Sequence, residues 1–351
     1  MSTPVHFRAS AADLPTQRLG RTDMEITRVG FGAWAIGGGD WAFGWGAQDD
    51  RDSIAAIRRA VDGGINWIDT AAVYGLGHSE EIVRLALAEI PDDDRPYVFT
   101  KGGIAWDDAD RAAEPRRVGA PASLRAGVEA SLTRLGVERI DLYQMHQRPA
   151  DDTPLEVYWQ TFVDLRKEGK VRAIGLSNHG VDLLTAAERL GHVDSLQPPF
   201  SAIRRRAAEA DIPWCLANGT GVIVYSPMQA GLLTGRFSAE RARALPVNDW
   251  RSRNEEFAGE RLGRNLALAA AMEPIAARHA TTVAAIAVAW TLAWPGVTGA
   301  IVGARNAAQI DGWIDAATIT LDDRDLADIA AAITRTGAGS GPNLPPRGTA
   351  D

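Results

Sequence analysis

Short apolar segments alternate with amphipathic helical patterns along the chain from Arg28 to Ala317. This alternation is typical of βαβ units and a parallel sheet. With the connecting helices and a final helix over Asn306–Ala317, it fits a closed (β/α)8 (TIM) barrel better than an open sheet. A Rossmann sheet is disfavoured because no Gly-x-Gly-x-x-Gly follows the first strand. The predicted strands are Val29–Trp34, Asn66–Thr70, Tyr97–Lys101, Asp141–His146, Ala173–Ser177, Ser195–Phe200, Val222–Pro227 and Thr298–Gly303.

Three segments fall outside the alternation. Gln17–Thr27 predicts a β-hairpin that closes the barrel floor, and Leu321–Thr334 predicts an extra C-terminal helix. Met228–Asn265 is a long insertion after the seventh strand, and such loops are usually lids or disordered. We expect one domain over residues 15–336. Residues 1–14 and 337–351 are expected to be disordered because they are rich in Pro, Gly and small residues.

Composition excludes several classes of function. The formal net charge of −8 argues against nucleic-acid binding. Charged or polar residues interrupt every apolar run that could enter a bilayer. The single cysteine, Cys215, cannot form an intrachain disulfide, and the N-terminus lacks signal-peptide features, so we expect a cytoplasmic protein. Without His-x-x-x-His or Cys-x-x-Cys spacing, no metal site is predicted. The oligomeric state is left open.

Four polar residues follow predicted strand ends: Asp69, Tyr74, Lys101 and His146. In parallel-sheet proteins the open crevice lies at the C-terminal ends of the strands. A tyrosine has a pKa of about 10, so it needs a neighbouring cation to release its proton readily. Lys101 can supply that charge, Asp69 can keep Lys101 protonated, and His146 can hold a substrate carbonyl. Such a set suits carbonyl reduction, although each residue alone could instead cap, pair or pack.

Several motifs in order resemble those of the aldo-keto reductases. They cover roughly Gln17 to Thr334 and together are highly specific. The loop around Asp249–Arg253 is similar to that of the bacterial, broad-specificity branch. The resemblance implies a tetrad of Asp69, Tyr74, Lys101 and His146, with Tyr74 as the general acid-base. The motifs are Asp69-Thr70-Ala71-Ala72-Val73-Tyr74-Gly75-Leu76-Gly77-His78-Ser79-Glu80, Thr100-Lys101, Asp141-Leu142-Tyr143-Gln144-Met145-His146, Ile174-Gly175-Leu176-Ser177-Asn178, Val224-Tyr225-Ser226-Pro227 and Ile301-Val302-Gly303-Ala304-Arg305.

The same resemblance implies a nicotinamide cofactor. Arg305 follows the last strand at a helix start, where backbone N–H groups and a positive charge suit a phosphate. We therefore expect NADP(H), with NADPH preferred over NADH, although a solvated arginine at a helix start is the alternative. Gly312-Trp313 replaces the Glu-Asn common in the family, which weakens the expectation for adenine contacts. The implied cofactor residues are Gly32, Ser177, Asn178 and Gln197, then Tyr225, Ser226, Met228, Gln229 and Gly231, and finally Gly303, Arg305 and Gln309.

The substrate pocket is expected to carry an aromatic wall of Trp34, Trp106 and Trp250. Gln147-Arg148 stands where many relatives have Trp-Pro, which favours a hydroxylated or charged substrate. The predicted activity is NADPH-dependent reduction of aldehydes, and by extension ketones or open-chain sugars, to alcohols. One alternative is a nucleotide-sensing interaction protein resembling potassium-channel β-subunits. Another is a Schiff-base aldolase that uses Lys101.

Overall fold

The computed structural model describes residues 14–39 and 41–346. Within them, eight parallel strands form a closed barrel in the order β3-β4-β5-β8-β9-β10-β11-β12, and β12 pairs with β3. Two short antiparallel pairs, β1–β2 and β6–β7, lie outside it. The strands are β1 Thr16–Arg18, β2 Glu25–Thr27, β3 Val29–Gly32, β4 Trp67–Asp69, β5 Tyr97–Gly102, β6 Ile104–Ala105, β7 Arg116–Arg117, β8 Ile140–Met145, β9 Val171–Ser177, β10 Ser195–Gln197, β11 Gly221–Tyr225 and β12 Val297–Gly303.

All eight predicted barrel strands are present, and the main differences lie at their C-terminal ends. The first strand stops at Gly32, because Trp34–Ile36 turns into a 3₁₀ helix. β10 stops at Gln197, before Pro198 and Pro199. Proline cannot donate a hydrogen bond to a sheet, so it ends a central strand. The (β/α)8 fold is therefore confirmed.

Helices connect the strands and cover the barrel. Side-chain caps begin several of them: Asp49 caps α1, and Asp322 forms a reciprocal capping box with Asp325 at the start of α12. The helices are α1 Asp50–Asp62, α2 His78–Leu87, α3 Pro121–Leu135, α4 Leu155–Lys167, α5 Val181–Glu188, α6 Asp211–Asn218, α7 Ala239–Arg243, α8 Gly259–Ala271, α9 Glu273–Arg278, α10 Val283–Leu292, α11 Ala307–Ile310 and α12 Asp323–Thr336.

The predicted helix Asn306–Ala317 is wrong as a single element. It is divided into α11 and a 3₁₀ helix over Ile314–Ala317. The break falls at Gly312, a poor helix former, whose carbonyl accepts a hydrogen bond from Thr282 Oγ1 at 2.5 Å. The extra C-terminal helix is confirmed as α12, shifted by two residues because its cap is Asp322.

The predicted hairpin is confirmed as β1–β2, and it fills the barrel floor. Leu19, Met24 and Ile26 pack inside the barrel against Trp67 and Phe99, all fully buried. The hairpin thus supplies the lowest layer of the core, while the opposite end of the barrel carries the polar strand ends.

Part of the C-terminal segment that was expected to be disordered, residues 337–346, packs against the barrel. Ala338 is buried, and Arg204 forms a β-bridge with Ser340. The buried Arg205 donates Nη1 to Ala338 O at 3.0 Å and Nε to Gly341 O at 3.2 Å. Carbonyl groups of the tail therefore satisfy a buried guanidinium. The remaining tail predictions fall on residues 1–13 and 347–351, outside the described residues.

Two further findings concern membranes and metals. No single described helix is long and apolar enough to span a bilayer. Two successive helical segments, Gly259–Arg278 and Val283–Leu292, are long and apolar enough only when taken together, and the chain bends by 91° between them. Within the described parts of the chain, no group of three or more His, Cys, Asp and Glu side chains could hold a metal ion. Cys215 is a buried free thiol.

Candidate active site

The four residues of the predicted tetrad lie together at the C-terminal end of the barrel. Asp69 ends β4, Lys101 lies near the end of β5, and His146 follows β8 directly. Tyr74 is in the turn after β4, and its ring lies edge-on to the His146 imidazole with centroids 5.7 Å apart. Parallel pairing of β4, β5 and β8 brings these side chains to the same edge.

A buried ion pair is at the centre of the site. Lys101 Nζ donates to Asp69 Oδ1 at 2.5 Å, to Thr70 O at 2.9 Å and to Tyr74 Oη at 3.4 Å. Lys101 and Asp69 are 1% and 2% exposed. These contacts use all three N–H groups of an ammonium ion. The Tyr74 hydroxyl accepts from Lys101, and among the described residues its own proton has no acceptor.

Burial and charge set the protonation of the site. Burial lowers the pKa of Lys101 and raises the pKa of Asp69. The negative charge of Asp69 opposes the first shift, and the positive charge of Lys101 opposes the second. Burial, with the negative charge of Asp69, raises the pKa of Tyr74 well above its usual range, so the phenol carries its proton at neutral pH. Burial, with the positive charge of Lys101, holds the pKa of His146 well below its usual range. The imidazole is therefore neutral.

A hydrogen-bond network joins four of the implied cofactor residues, Ser177, Asn178, Gln197 and Tyr225. Ser177 Oγ donates to Gln197 O at 2.9 Å, and Tyr225 Oη donates to Asn178 Oδ1 at 2.8 Å. Asn178 Nδ2 donates to His146 O and to Ser177 Oγ, each at 3.0 Å. Gln197 Nε2 donates to Asp69 Oδ2 at 2.8 Å. The network ties this side of the site directly to the ion pair.

A cavity of about 540 Å³ extends from the tetrad to Arg305. Many of the predicted site residues line it: Asp69, Tyr74, Gly32, Trp34, Gln197, Tyr225, Ser226, Met228, Gly231, Gly303, Arg305 and Gln309. The residues that line this cavity do not include the other predicted ones, which are Lys101, His146, Ser177, Asn178, Gln229, Trp106 and Trp250. Asn178 lines a second cavity of about 400 Å³ instead.

The loop after β11 has an unusual backbone. Ser226, Gln229 and Ala230 all have positive φ, at 57°, 46° and 51°, and Gly231 has φ of 103°. Residues other than glycine rarely adopt this conformation, and where it persists it often marks a ligand site. The Gln229 side chain turns away from the cavity and accepts from Ser201 Oγ at 3.2 Å. Its contribution to ligand binding would therefore come from the backbone.

Four arginines line the cavity: Arg236, Arg241, Arg251 and Arg305. Only Arg305 was predicted as a cofactor residue, because the other three lie in the insertion, whose sequence gave no signal for their side-chain positions. Arg305 donates Nε to Gln48 Oε1 at 2.7 Å and Nη2 to Ala47 O. Arg305 O accepts from Gln48 Nε2 at 2.8 Å. These bonds fix the guanidinium and leave its Nη1 group for a ligand.

The aromatic wall differs from the prediction. Trp34 stacks on Trp250 with centroids 5.2 Å apart, and Trp45, which sequence reasoning missed, packs edge-on against both. Trp34 and Trp45 line the cavity, whereas Trp250 supports Trp34 from behind. Trp106 does not line the cavity; it packs against the same small apolar cluster as Trp34, with the Arg134 guanidinium 5.8 Å from its ring centroid. No motif marked Trp45, although its position among aromatic residues was a weak signal.

The insertion has more anchors than its sequence suggested. Trp250 N donates to Gly44 O at 3.2 Å, and Asp249 forms a β-bridge with Trp45. Asp249 also holds Arg251 through two hydrogen bonds of 2.6 and 3.0 Å. Phe237 and Phe257 are buried and pack edge-to-face. We call the contact between residues 41–48 and residues 249–253 the clasp.

Comparison with known proteins adds to this geometry. The model of the aldo/keto reductase family matches residues 28–334. The chain belongs to the aldo/keto reductase family. It is 33% identical over 316 residues to the aldo-keto reductase YhdN of Bacillus subtilis, covering 90% of this chain and 92% of that protein. It is 34% identical over 335 residues to the NADH-specific methylglyoxal reductase of Escherichia coli, covering 90% of this chain and 98% of that protein.

Among solved structures, a glycerol dehydrogenase from Gluconobacter oxydans superimposes with a TM-score of 0.83 at 35% identity, covering 93% of this chain and 98% of that one. The predicted family resemblance is therefore confirmed. Membership implies an oxidoreductase that reduces carbonyl groups with a nicotinamide cofactor.

Proposed function

We propose that this protein reduces aldehydes to alcohols, with Tyr74 as the proton donor and NADPH preferred over NADH. The contact that carries the proposal is the one from Lys101 Nζ to Tyr74 Oη, at 3.4 Å, backed by Asp69 at 2.5 Å from the same ammonium. A cation beside a phenol stabilises the phenolate that proton donation leaves behind. Ketones and open-chain sugars are further candidate substrates.

The residues present fit a nicotinamide dinucleotide. Bound in this cavity, such a cofactor would supply a hydride. The strained loop over Ser226–Gly231 offers backbone N–H groups of the kind that bind phosphates. The Tyr225 ring and the Gln197 amide line the catalytic end, and Arg305 lines the other. The different residues at the two ends of the cavity support an orientation with the nicotinamide near Tyr74 and the adenosine phosphate near Arg305.

Each catalytic residue has a separate task in this proposal. Tyr74 donates its free hydroxyl proton to the carbonyl oxygen as negative charge develops there. Lys101 remains an ammonium, because Asp69 is its counter-ion and its three N–H groups are all engaged. The neutral His146 donates a hydrogen bond that orients the carbonyl. Engagement of Lys101 also weighs against the Schiff-base aldolase, which needs an unprotonated amine.

The preference for NADPH rests on Arg305, one of the four arginines that line the cavity. A 2′-phosphate adds negative charge at the Arg305 end, and charge-assisted hydrogen bonds are the strong ones. The Escherichia coli relative is named as NADH-specific, so an NADH preference is the competing outcome.

The test is a panel of aldehydes, ketones and open-chain sugars assayed with NADPH and with NADH. The proposal predicts turnover of simple aldehydes, with the higher kcat/KM for NADPH. Nicotinamide binding without turnover of any carbonyl compound would instead favour the nucleotide-sensing alternative. A higher kcat/KM with NADH would overturn the cofactor preference and leave the reaction class intact.

A further inference from the structure

Gln197 makes a hydrogen bond across the barrel. It lies on β10, and β10 is the fourth strand from β4 in either direction around the closed sheet. Its Nε2 nevertheless reaches Asp69 Oδ2, at 2.8 Å, while Lys101 occupies Asp69 Oδ1. Gln197 is 2% exposed. The catalytic carboxylate is therefore held from both sides, by an ammonium and by an amide.

Chemistry fixes which way the amide faces. An ionised carboxylate accepts hydrogen bonds and donates none, so the NH₂ group of Gln197 must face Asp69. The Oε1 atom then faces elsewhere, and it accepts no hydrogen bond from the described residues. Since Gln197 lines the cavity, Oε1 is available to an N–H donor on a ligand.

The neighbouring polar groups have less to offer such a donor. Ser177 Oγ already donates to Gln197 O and accepts from Asn178 Nδ2. Asn178 Oδ1 accepts from Tyr225 Oη, and its Nδ2 makes two hydrogen bonds. The family resemblance implies that Ser177, Asn178 and Gln197 contact the nicotinamide carboxamide. Of these three, Gln197 alone combines a free acceptor with a bond to the ion pair.

We propose that Gln197 is a positioning residue: through Nε2 it holds Asp69 against Lys101, in addition to the contact of its Oε1 with the nicotinamide carboxamide that the family resemblance already implies. This proposal rests on the proposed function. What it adds to the cofactor contact implied by the resemblance is the maintenance of the charged pair by the same amide. Binding of the cofactor then fixes the amide that keeps Asp69 ionised.

Several charged or titratable groups bear on Asp69. Lys101 from β5 contacts Asp69 directly, the charge of Asp69 acts on Tyr74 in the turn after β4, and the charge of Lys101 acts on His146 after β8. Glu80 on α2 and Tyr225 on β11 act on Lys101 through its charge. Burial raises the pKa of Asp69, while Lys101 and the Gln197 hydrogen bond oppose that rise. Loss of the Gln197 bond therefore raises the pKa of Asp69 further.

A shift in pH dependence follows. Asp69 without its amide donor takes up a proton at higher pH, and Lys101 then loses its counter-ion. The pH at which the reaction rate falls on the acid side should rise, while the alkaline side should stay in place. A residue that only contacts the cofactor would change cofactor affinity without moving that pH.

Two variants separate the two roles. Gln197→Glu keeps an oxygen acceptor toward the cavity and replaces the donor by a carboxylate beside Asp69. Gln197→Met removes both groups at similar size. Single-turnover reduction of an aldehyde, measured against pH with saturating NADPH, should show the acid midpoint raised by about one unit or more in both variants. Fluorescence titration should show weaker NADPH binding for Gln197→Met than for Gln197→Glu.

Ser177→Ala is the matched control, because Ser177 belongs to the same network but makes no bond to Asp69. Its acid midpoint should equal that of the wild type. Unchanged midpoints in both Gln197 variants, together with altered NADPH binding, would overturn the positioning role while leaving aldehyde reduction intact. Absence of aldehyde reduction by the wild type would instead overturn the proposed function.

A second readout needs neither cofactor nor turnover. Because the variants raise the folded-state pKa of Asp69, their loss of stability is present above that pKa and disappears below the wild-type pKa, where Asp69 is protonated in both proteins. The Tm difference between wild type and Gln197→Met should therefore shrink as the pH is lowered. A Tm difference that is constant across pH would contradict the proposal.

Discussion

The two ends of the cavity are built in different ways. At the catalytic end, Asp69, Lys101 and His146 are held by three neighbouring strands in parallel register. At the other end, Arg305 is held by Ala47 and Gln48, more than two hundred residues away in the chain. The first arrangement follows from the barrel itself, whereas the second depends on contacts between loops.

The strand ends therefore hold the catalytic residues, whereas the loops hold the residues that select the cofactor and the substrate. Strand ends can fix a proton donor and its counter-charges precisely, because the sheet determines their spacing. Loops can vary without disturbing the barrel, so they can adjust which cofactor and substrate are accepted. We therefore expect substitutions at the strand ends to abolish turnover, and substitutions in the clasp or at Arg305 to change affinity and release.

The largest effect is expected for Lys101→Met. Loss of the ammonium beside Tyr74 should lower turnover of aldehydes by about 10²-fold or more. It should also cost about 3–5 kcal/mol of stability, because Asp69 is left buried without its counter-ion. Steady-state kinetics and denaturant unfolding would measure the two losses.

The double variant Asp69→Asn, Lys101→Met is the control for stability. It removes both charges, so most of the lost stability should return while turnover stays low. Normal aldehyde reduction by Lys101→Met would contradict the electrostatic role. An imine trapped by borohydride on Lys101 of the wild type would do the same.

At the opposite end, Arg305→Ala should weaken NADPH binding much more than NADH binding. A charge-assisted contact contributes about 1.5–3 kcal/mol, so the expected loss for NADPH is roughly tenfold to a hundredfold. Arg251→Ala is the comparison, because Arg251 is paired with Asp249 in the clasp and should affect both cofactors equally. Equal losses for both cofactors in Arg305→Ala would mean that Arg305 supports the loop and does not select the phosphate.

The smallest expected effect is a change in the clasp when the cofactor binds. The segment Ala242–Phe257 should gain protection from amide exchange with NADPH, since the clasp residues Trp45 and Arg251 line the cavity. The fluorescence change on binding should diminish in Trp250→Phe. Identical exchange with and without NADPH would leave the insertion as a static part of the surface.

The sequence predicted the strand ends well and the loops poorly. Asp69, Lys101 and His146 lie at the ends of apolar runs that pair as parallel strands. Their positions at these ends were therefore sufficient to predict that the three side chains lie close together. Trp45, Arg251 and Gln48 belong to no periodic element, and their partners are set by tertiary contacts. The same reason explains the tail, since the need of buried Arg205 for carbonyl acceptors near Ala338 has no local signal.

The central claim is that Tyr74, held by Lys101, delivers the proton. The most direct measurement is single-turnover reduction of a simple aldehyde by Tyr74→Phe beside the wild type, with NADPH binding measured on the same samples. The account predicts near-normal NADPH binding with the reduction rate lowered by about 10²-fold or more, the usual scale for a positioned acid. Reduction at a near-normal rate by Tyr74→Phe would contradict it.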